Sequence, residues 1–186
     1  ENLRLHEAMT AGYRDLSYLE ADGVEQNPTL RLISHKPEEN EYLAVNQVRI
    51  QDREHHRRFD VALYVNGLMV AVIELKDAAN ERTSSAGAHA QLATYVREFP
   101  LAFRSVFANV ASDGTTALYG TPFTGLDHFS PWNVDDDGAV IRPGDRQDYD
   151  DEWHSPLALL LRGLFNLDRF GQLLRGYTTY ATSEEL

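Results

Sequence analysis

The chain has 186 residues, a formal charge of -12, 42% hydrophobic residues and no cysteine. That length fits one domain with a substantial core and an ordinary water-soluble composition. A disulfide framework and a zinc-thiolate site are excluded, and no apolar run or leader-like segment suits a membrane span or a signal peptide. The chain begins at Glu1 rather than Met and is read as a piece of something longer.

Taken in chain order, the pattern predicts an α/β domain. Leu3 to Tyr18 carries Leu5, Met9, Tyr13 and Leu16 at helical spacing and ends before a turn at Asp22-Gly23. Leu30 to Ile33 and Tyr42 to Ile50 read as strands, followed by the polar stretch Gln51 to Arg58. Two apolar strands, Phe59 to Val65 and Leu68 to Ile73, flank Asn66-Gly67, a strong hairpin-turn signal. Ser84 or Ser85 caps a helix running to about Arg97, with Leu92, Val96 and Phe99 on its apolar side. Phe103 to Ala111 and Thr115 to Tyr119 form two more strands around Asp113-Gly114. Pro122 to Glu152 is rich in turn formers and predicts an extended loop. Pro156 to Leu174 predicts one or two amphipathic helices packing through Leu157, Leu160, Leu161, Leu164, Phe165 and Leu167. The core is thus expected over about 1–121, an acidic loop over 122–155 and a helical segment over 156–177.

Charges border the central hairpin. Asp60 lies a hairpin's length ahead of Glu74-Leu75-Lys76, and three ionisable groups beside so apolar a sheet are costly to bury unless paired with each other or a metal. In a simple two-residue hairpin Asp60 would face Ile73, and Glu74 would project from the other side of the sheet. One cation could not then be held by both. The spacing therefore predicts an odd residue, most simply a bulge at a left-handed Gly67, otherwise a bulge elsewhere in one strand. Either would make Asp60 and Glu74 neighbours able to hold a hard cation such as Mg2+. Gln91 and Tyr95, four apart on the predicted helix, share a face and would bring an amide and a phenol to one patch.

An Asp, a hairpin and then Glu-x-Lys resembles the PD-(D/E)xK nuclease core, with Phe59 where that signature often has Pro. The wider setting is more specific: Asn46-Gln47, Arg57 to Leu63, Val65 to Leu68, Val72 to Lys76, Gln91 to Tyr95, Ser112-Asp113-Gly114 and Gly120-Thr121. Together they resemble the nuclease domain at the N-terminal end of the motor (restriction) subunit of type I restriction-modification enzymes, over roughly Tyr13 to Tyr180. The resemblance implies a mixed central sheet flanked by helices and a metal-dependent endodeoxyribonuclease. It implies Mg2+, or Mn2+ as a substitute, on Asp60, Glu74 and the Leu75 backbone carbonyl. Lys76 would orient or activate the attacking water, and Gln91 and Tyr95 match a Q-x-x-x-Y element that supports the site and DNA contacts. It further implies double-stranded DNA as substrate, methyltransferase and specificity subunits as partners, a prokaryotic cytoplasm, and ATP use in motor domains absent from this chain. No G-x-x-x-x-G-K-[ST] phosphate loop is present.

Other features weigh on this reading. Of seventeen basic residues only Lys36 and Lys76 are lysines, so a lysine at the end of an apolar strand is not drawn from a lysine-rich surface. The acidic total is uneven, since residues 133–152 hold eight acids against two arginines, whereas Arg53, His55, His56, Arg57 and Arg58 precede Asp60. No histidine spacing suits zinc, and Trp132 and Trp153 read as packing anchors in acidic surroundings. Glu7, Glu20 and Glu25 are unranked candidates for a third acid. Two alternatives stay open: a PD-(D/E)xK nuclease of a repair or RecB-like system, and a catalytically silent nuclease-like fold serving DNA binding or assembly.

Overall fold

The Asn-Gly pair makes the turn its chemistry favours. In the computed structural model, which describes residues 2–77, 84–135, 138–141 and 155–178, Asn66 and Gly67 both have positive φ (50° and 81°). This left-handed pair matches the twist of the strands it joins. The Asn66 side chain accepts from the Glu41 amide at 2.7 Å and donates to the carbonyl of Leu32 at 2.8 Å, so the turn is also tied to the segment before it. The short elements on the N-terminal side are α1 (Asn2–Thr10), β1 (Tyr18–Leu19) and β2 (Glu25–Gln26). Then come β3 (Tyr42–Gln51), β4 (His56–Val65) and β5 (Leu68–Leu75).

Gly67 is not the site of the bulge. Val65 pairs with Leu68 and Tyr64 with Met69, after which the register jumps to Leu63 opposite Ala71. The extra residue is Val70, inside β5. A bulge there lets Val70 join Met9, Ile33, Val65, Phe170 and Leu174 in one buried cluster while Met69 and Val72 fill another. Packing on both faces therefore fixes the bulge position, and the alternative of a bulge within a strand is the one that holds.

After β5 the chain forms α2 (Ser85–Glu98), β6 (Ala108–Ser112), β7 (Ala117–Gly120), α3 (Pro156–Leu164) and α4 (Leu167–Gly176). The five strands lie in the order β3-β4-β5-β6-β7, antiparallel except for the parallel β5-β6 pair that α2 connects. The α2 residues Ala88, Leu92 and Tyr95 pack on one face against Ala62, Val72 and Ala111. Leu160 and Leu164 of α3 cover the other against Ile73, Ala108 and Val110, while α1 and α4 meet over Val65 and Val70. This is an α/β architecture with a mixed central sheet between helices, of the restriction-endonuclease-like type.

Several expected boundaries are corrected. The first helix stops at Thr10 rather than Tyr18, because Gly12 turns left-handed (φ 96°) and its amide donates to the Glu7 carbonyl. A Cβ at Gly12 would lie 2.5 Å from Thr29 Cγ2, so only glycine fits this helix end. The stretch from Leu30 to Ile33 forms one isolated bridge, Leu30 with Tyr13, not a strand. Phe103 begins no strand either. It lies in a short 3-10 turn, Ala102–Ser105, which drops its ring edge-on against Phe59 in the core, and the strand starts at Ala108. Leu167 is 46% exposed, unlike Leu160 and Leu164, because Asn166 starts a second helix and changes which positions face inward. Trp132 packs beside Tyr119 and so close to Gly163 that any Cβ there would overlap it. Trp153 and the rest of residues 142–154 lie outside the described residues.

Candidate active site

The bulge at Val70 sets Val61 opposite Ile73, which carries Asp60 to the position across from Glu74. Here the sheet stops being purely apolar. Asp60 Oδ2 accepts from the Leu75 amide at 2.9 Å, so the carboxylate takes a strand-end donor and is held beside the Glu74-Leu75-Lys76 backbone. Glu74 is only 1% exposed. Burial pushes its carboxyl up from the ordinary range, Lys76 opposes that shift, and the negative charge of Asp60 adds to it.

Lys76 does not project into solvent. Its Nζ donates to Glu74 Oε1 at 2.8 Å and to Gln91 Oε1 at 2.5 Å, so two acceptors from a strand and a helix grip one ammonium. Gln91 in turn donates to the Tyr95 hydroxyl. The single phenolic proton lies within reach of Glu74 Oε2 at 3.3 Å and the Arg58 carbonyl at 3.2 Å. Burial, with the nearby charges of Glu74 and Asp60, raises Tyr95 to about 12, which keeps it a neutral donor across ordinary pH. The phenol ring packs on Phe59 at 4.7 Å between centroids.

All five side chains expected at the site are therefore brought together. Gln91 and Tyr95 share the helical face that their spacing predicts, and α2 begins where Ser84 accepts from the Gly87 amide. Among the described residues no group of three or more His, Asp or Glu converges, so none of Glu7, Glu20 or Glu25 joins Asp60 and Glu74. A magnesium ion uses one or two carboxylates and retains several waters. Two acids whose charges repel, with the Leu75 backbone held against Asp60, fit that demand, whereas a soft or zinc-like ion would find no histidine cluster or thiolate among the described residues.

Beside the carboxylates lies an open groove of about 630 Å3, lined by Arg49, His56, Arg57, Arg58, Gln91 and Tyr95 among others. Arg49 and Arg58 stand directly opposite each other in the β3-β4 ladder, both exposed. Like charges in that position destabilise a strand pair unless an anion lies between or near them. Arg57 is partly engaged, pairing with Glu98 at 2.7 Å.

The structure adds one residue to which sequence reasoning assigned no role. Gln47 of β3 has φ 54°, and its Nε2 donates to Asp60 Oδ1 at 3.4 Å. Nothing local signals this, since glutamine is not a residue that favours left-handed backbone.

Comparison with known proteins places this chain in a family. The family described as type I restriction enzyme R protein N terminus matches residues 1–128. The type I restriction enzyme HindI endonuclease subunit of Haemophilus influenzae is 32% identical over 142 residues, covering 76% of this chain and 13% of that protein. A protein of Methanocaldococcus jannaschii named for the MjaIXP type I restriction enzyme endonuclease subunit is 27% identical over 148 residues, covering 74% of this chain and 14% of that protein. The chain thus spans about one seventh of the length of these relatives.

Proposed function

Because this chain belongs to the type I restriction enzyme R protein N-terminal family, we propose that it is the Mg2+-dependent DNA endonuclease domain of such a subunit. The observation that carries the reading is the buried Glu74 carboxylate beside Asp60, linked through Lys76 and Tyr95 to Gln91. A buried carboxylate beside a second, half-exposed one calls for a cation. Asp60, Glu74 and the Leu75 carbonyl would hold Mg2+, or Mn2+ in its place, and a bound ion supplies Lewis-acid polarisation and a more acidic water.

The chain's own groups do the rest. Lys76 Nζ, fixed by its two acceptors, offers a remaining proton to the attacking water or to charge developing on the phosphate in an in-line hydrolysis. Gln91 keeps that ammonium aimed. Tyr95 holds Glu74 Oε2 from the rear without ionising. The groove bearing Arg49 and Arg58 accepts a phosphate backbone through local basic charge, although the chain as a whole is acidic. DNA recognition, methylation and ATP-driven translocation belong in this reading to specificity, methyltransferase and motor parts outside the chain, in a prokaryotic cytoplasm.

The test is calorimetric titration of Mg2+ and Mn2+ into the wild-type chain, Asp60→Ala and Glu74→Ala, with plasmid nicking in parallel. Binding lost in both folded variants supports the reading. Equal behaviour in all three, with no nicking, would return the chain to a silent assembly or DNA-binding module.

A further inference from the structure

The left-handed residue in β3 lies where the sheet reverses its facing. Phe59 and Ala62 are three apart in β4, yet both lie in the cluster beneath α2, while Val61 packs on the opposite face. An extended strand alternates faces strictly, so positions of opposite parity reach the same side only if the strand turns over between them. Val61 and Ala62 already alternate normally. The reversal therefore falls between Phe59 and Val61, at Asp60.

Its partner strand shows the matching event. Asn46 pairs with Val61 and Val48 with Phe59, which leaves Gln47 across from Asp60, the one position inside this ladder without a regular pair. The register sum is the same on both sides, so no residue is inserted in either strand. The reversal is made instead by Gln47 adopting φ 54°. A left-handed non-glycine residue is strained and persists where the surroundings hold it. Here its amide reaches the carboxylate whose other oxygen is already held by the Leu75 amide.

We propose that Gln47 is a positioning residue for Asp60: its left-handed backbone reverses the β3-β4 ribbon at the carboxylate, and its side-chain amide restrains Oδ1 toward the cation that Asp60 and Glu74 share. This rests on the nuclease reading above. The two contributions separate by substitution. Gln47→Gly keeps the left-handed backbone at little steric cost and deletes the amide, whereas Gln47→Ala deletes the amide and retains the strain.

The experiment is Mn2+ titration by calorimetry alongside thermal unfolding without metal, on the wild-type chain, Gln47→Gly, Gln47→Ala and Asp60→Ala. Gln47→Gly is expected to unfold no earlier than wild type yet to bind Mn2+ about tenfold more weakly, the low end for removing an outer-shell partner. Gln47→Ala is expected to show the same loss of affinity with a lower unfolding temperature than Gln47→Gly. A merely structural residue would move stability and affinity together. Wild-type affinity in Gln47→Gly, with binding lost in Asp60→Ala, overturns the role of Gln47 and leaves the nuclease reading intact. No binding by wild type overturns both.

Discussion

Glu74 lies in β5 and Asp113 in the turn just past the adjoining strand β6, and their carboxylates meet opposite fates. Asp113 accepts five hydrogen bonds: from the amides and hydroxyls of Thr115 and Thr116, and from the Ser85 amide at the start of α2. Burial works against its charge but is outweighed by these donors, led by the Thr116 amide, which pull it down to about 2. Glu74 receives one ammonium and one phenol while facing the charge of Asp60, and burial pushes it up. Asp113 is a saturated joint, closing the β6-β7 turn onto a helix N-terminus. Glu74 shares its one ammonium with Gln91 and faces a second acid, so its charge is far less fully compensated.

The sharpest way to break this contrast is at Lys76. Lys76→Ala should lower plasmid nicking by about 100–1,000-fold, the usual effect of losing one donor to transition-state charge, while Mn2+ binding by calorimetry persists. Lost binding instead would make Lys76 a structural counter-ion. Next in size, Asp113→Ala should cost about 2–3 kcal/mol in urea unfolding, since several backbone and hydroxyl donors lose their acceptor, with metal affinity unchanged once folded.

The two acids also predict opposite pH responses. Asp113, lowered from its ordinary 3.8, contributes stability present above that value and lost as pH falls from there through about 2. Glu74, raised above its ordinary 4.5, contributes stability present below that value and lost as pH rises through its folded-state pKa. Metal-free unfolding followed from pH 4 to 8 should show this decline, and saturating Mn2+ should remove it because a bound cation favours the carboxylate. Glu74→Gln should lack both the decline and the rescue. A decline that survives in this variant would assign the titration to another group.

A smaller effect is expected from the groove. Arg49→Ala and Arg58→Ala should each weaken DNA binding a few-fold and reduce its dependence on salt concentration, with melting temperature unchanged or slightly higher as the facing like charges are relieved. An unchanged salt slope in both would remove this groove as the path of the phosphate backbone.

The residues of the candidate site are legible because each carries its own local signal. Asp60 and Glu-x-Lys stood out as charges ending apolar strands, and the four-residue step from Gln91 to Tyr95 fixed a common helical face. The Lys76 to Gln91 to Tyr95 chain extends that reading, since the spacing told which groups converge but not which donates to which. Boundaries were less legible where tertiary contacts overruled a periodic pattern. Tyr13 and Leu16 continued the helical spacing of α1, but Gly12 had space for no side chain against Thr29, and the helix ended. Phe103 had strand-like neighbours, yet its ring was worth more against Phe59 than in a ladder.

By itself the sequence determined the chemistry and its order along the chain: two acids, a lysine, an amide and a phenol, set on a hairpin and the helix after it. Turn residues and side-chain periods act over a few positions, so they can be read one segment at a time. Only the tertiary structure decided that the bulge falls at Val70 and that the ribbon turns over at Gln47 opposite Asp60. Those choices follow from filling two faces of one sheet at once, with α2 on one side and α3 and α4 on the other. No single segment of sequence contains both faces.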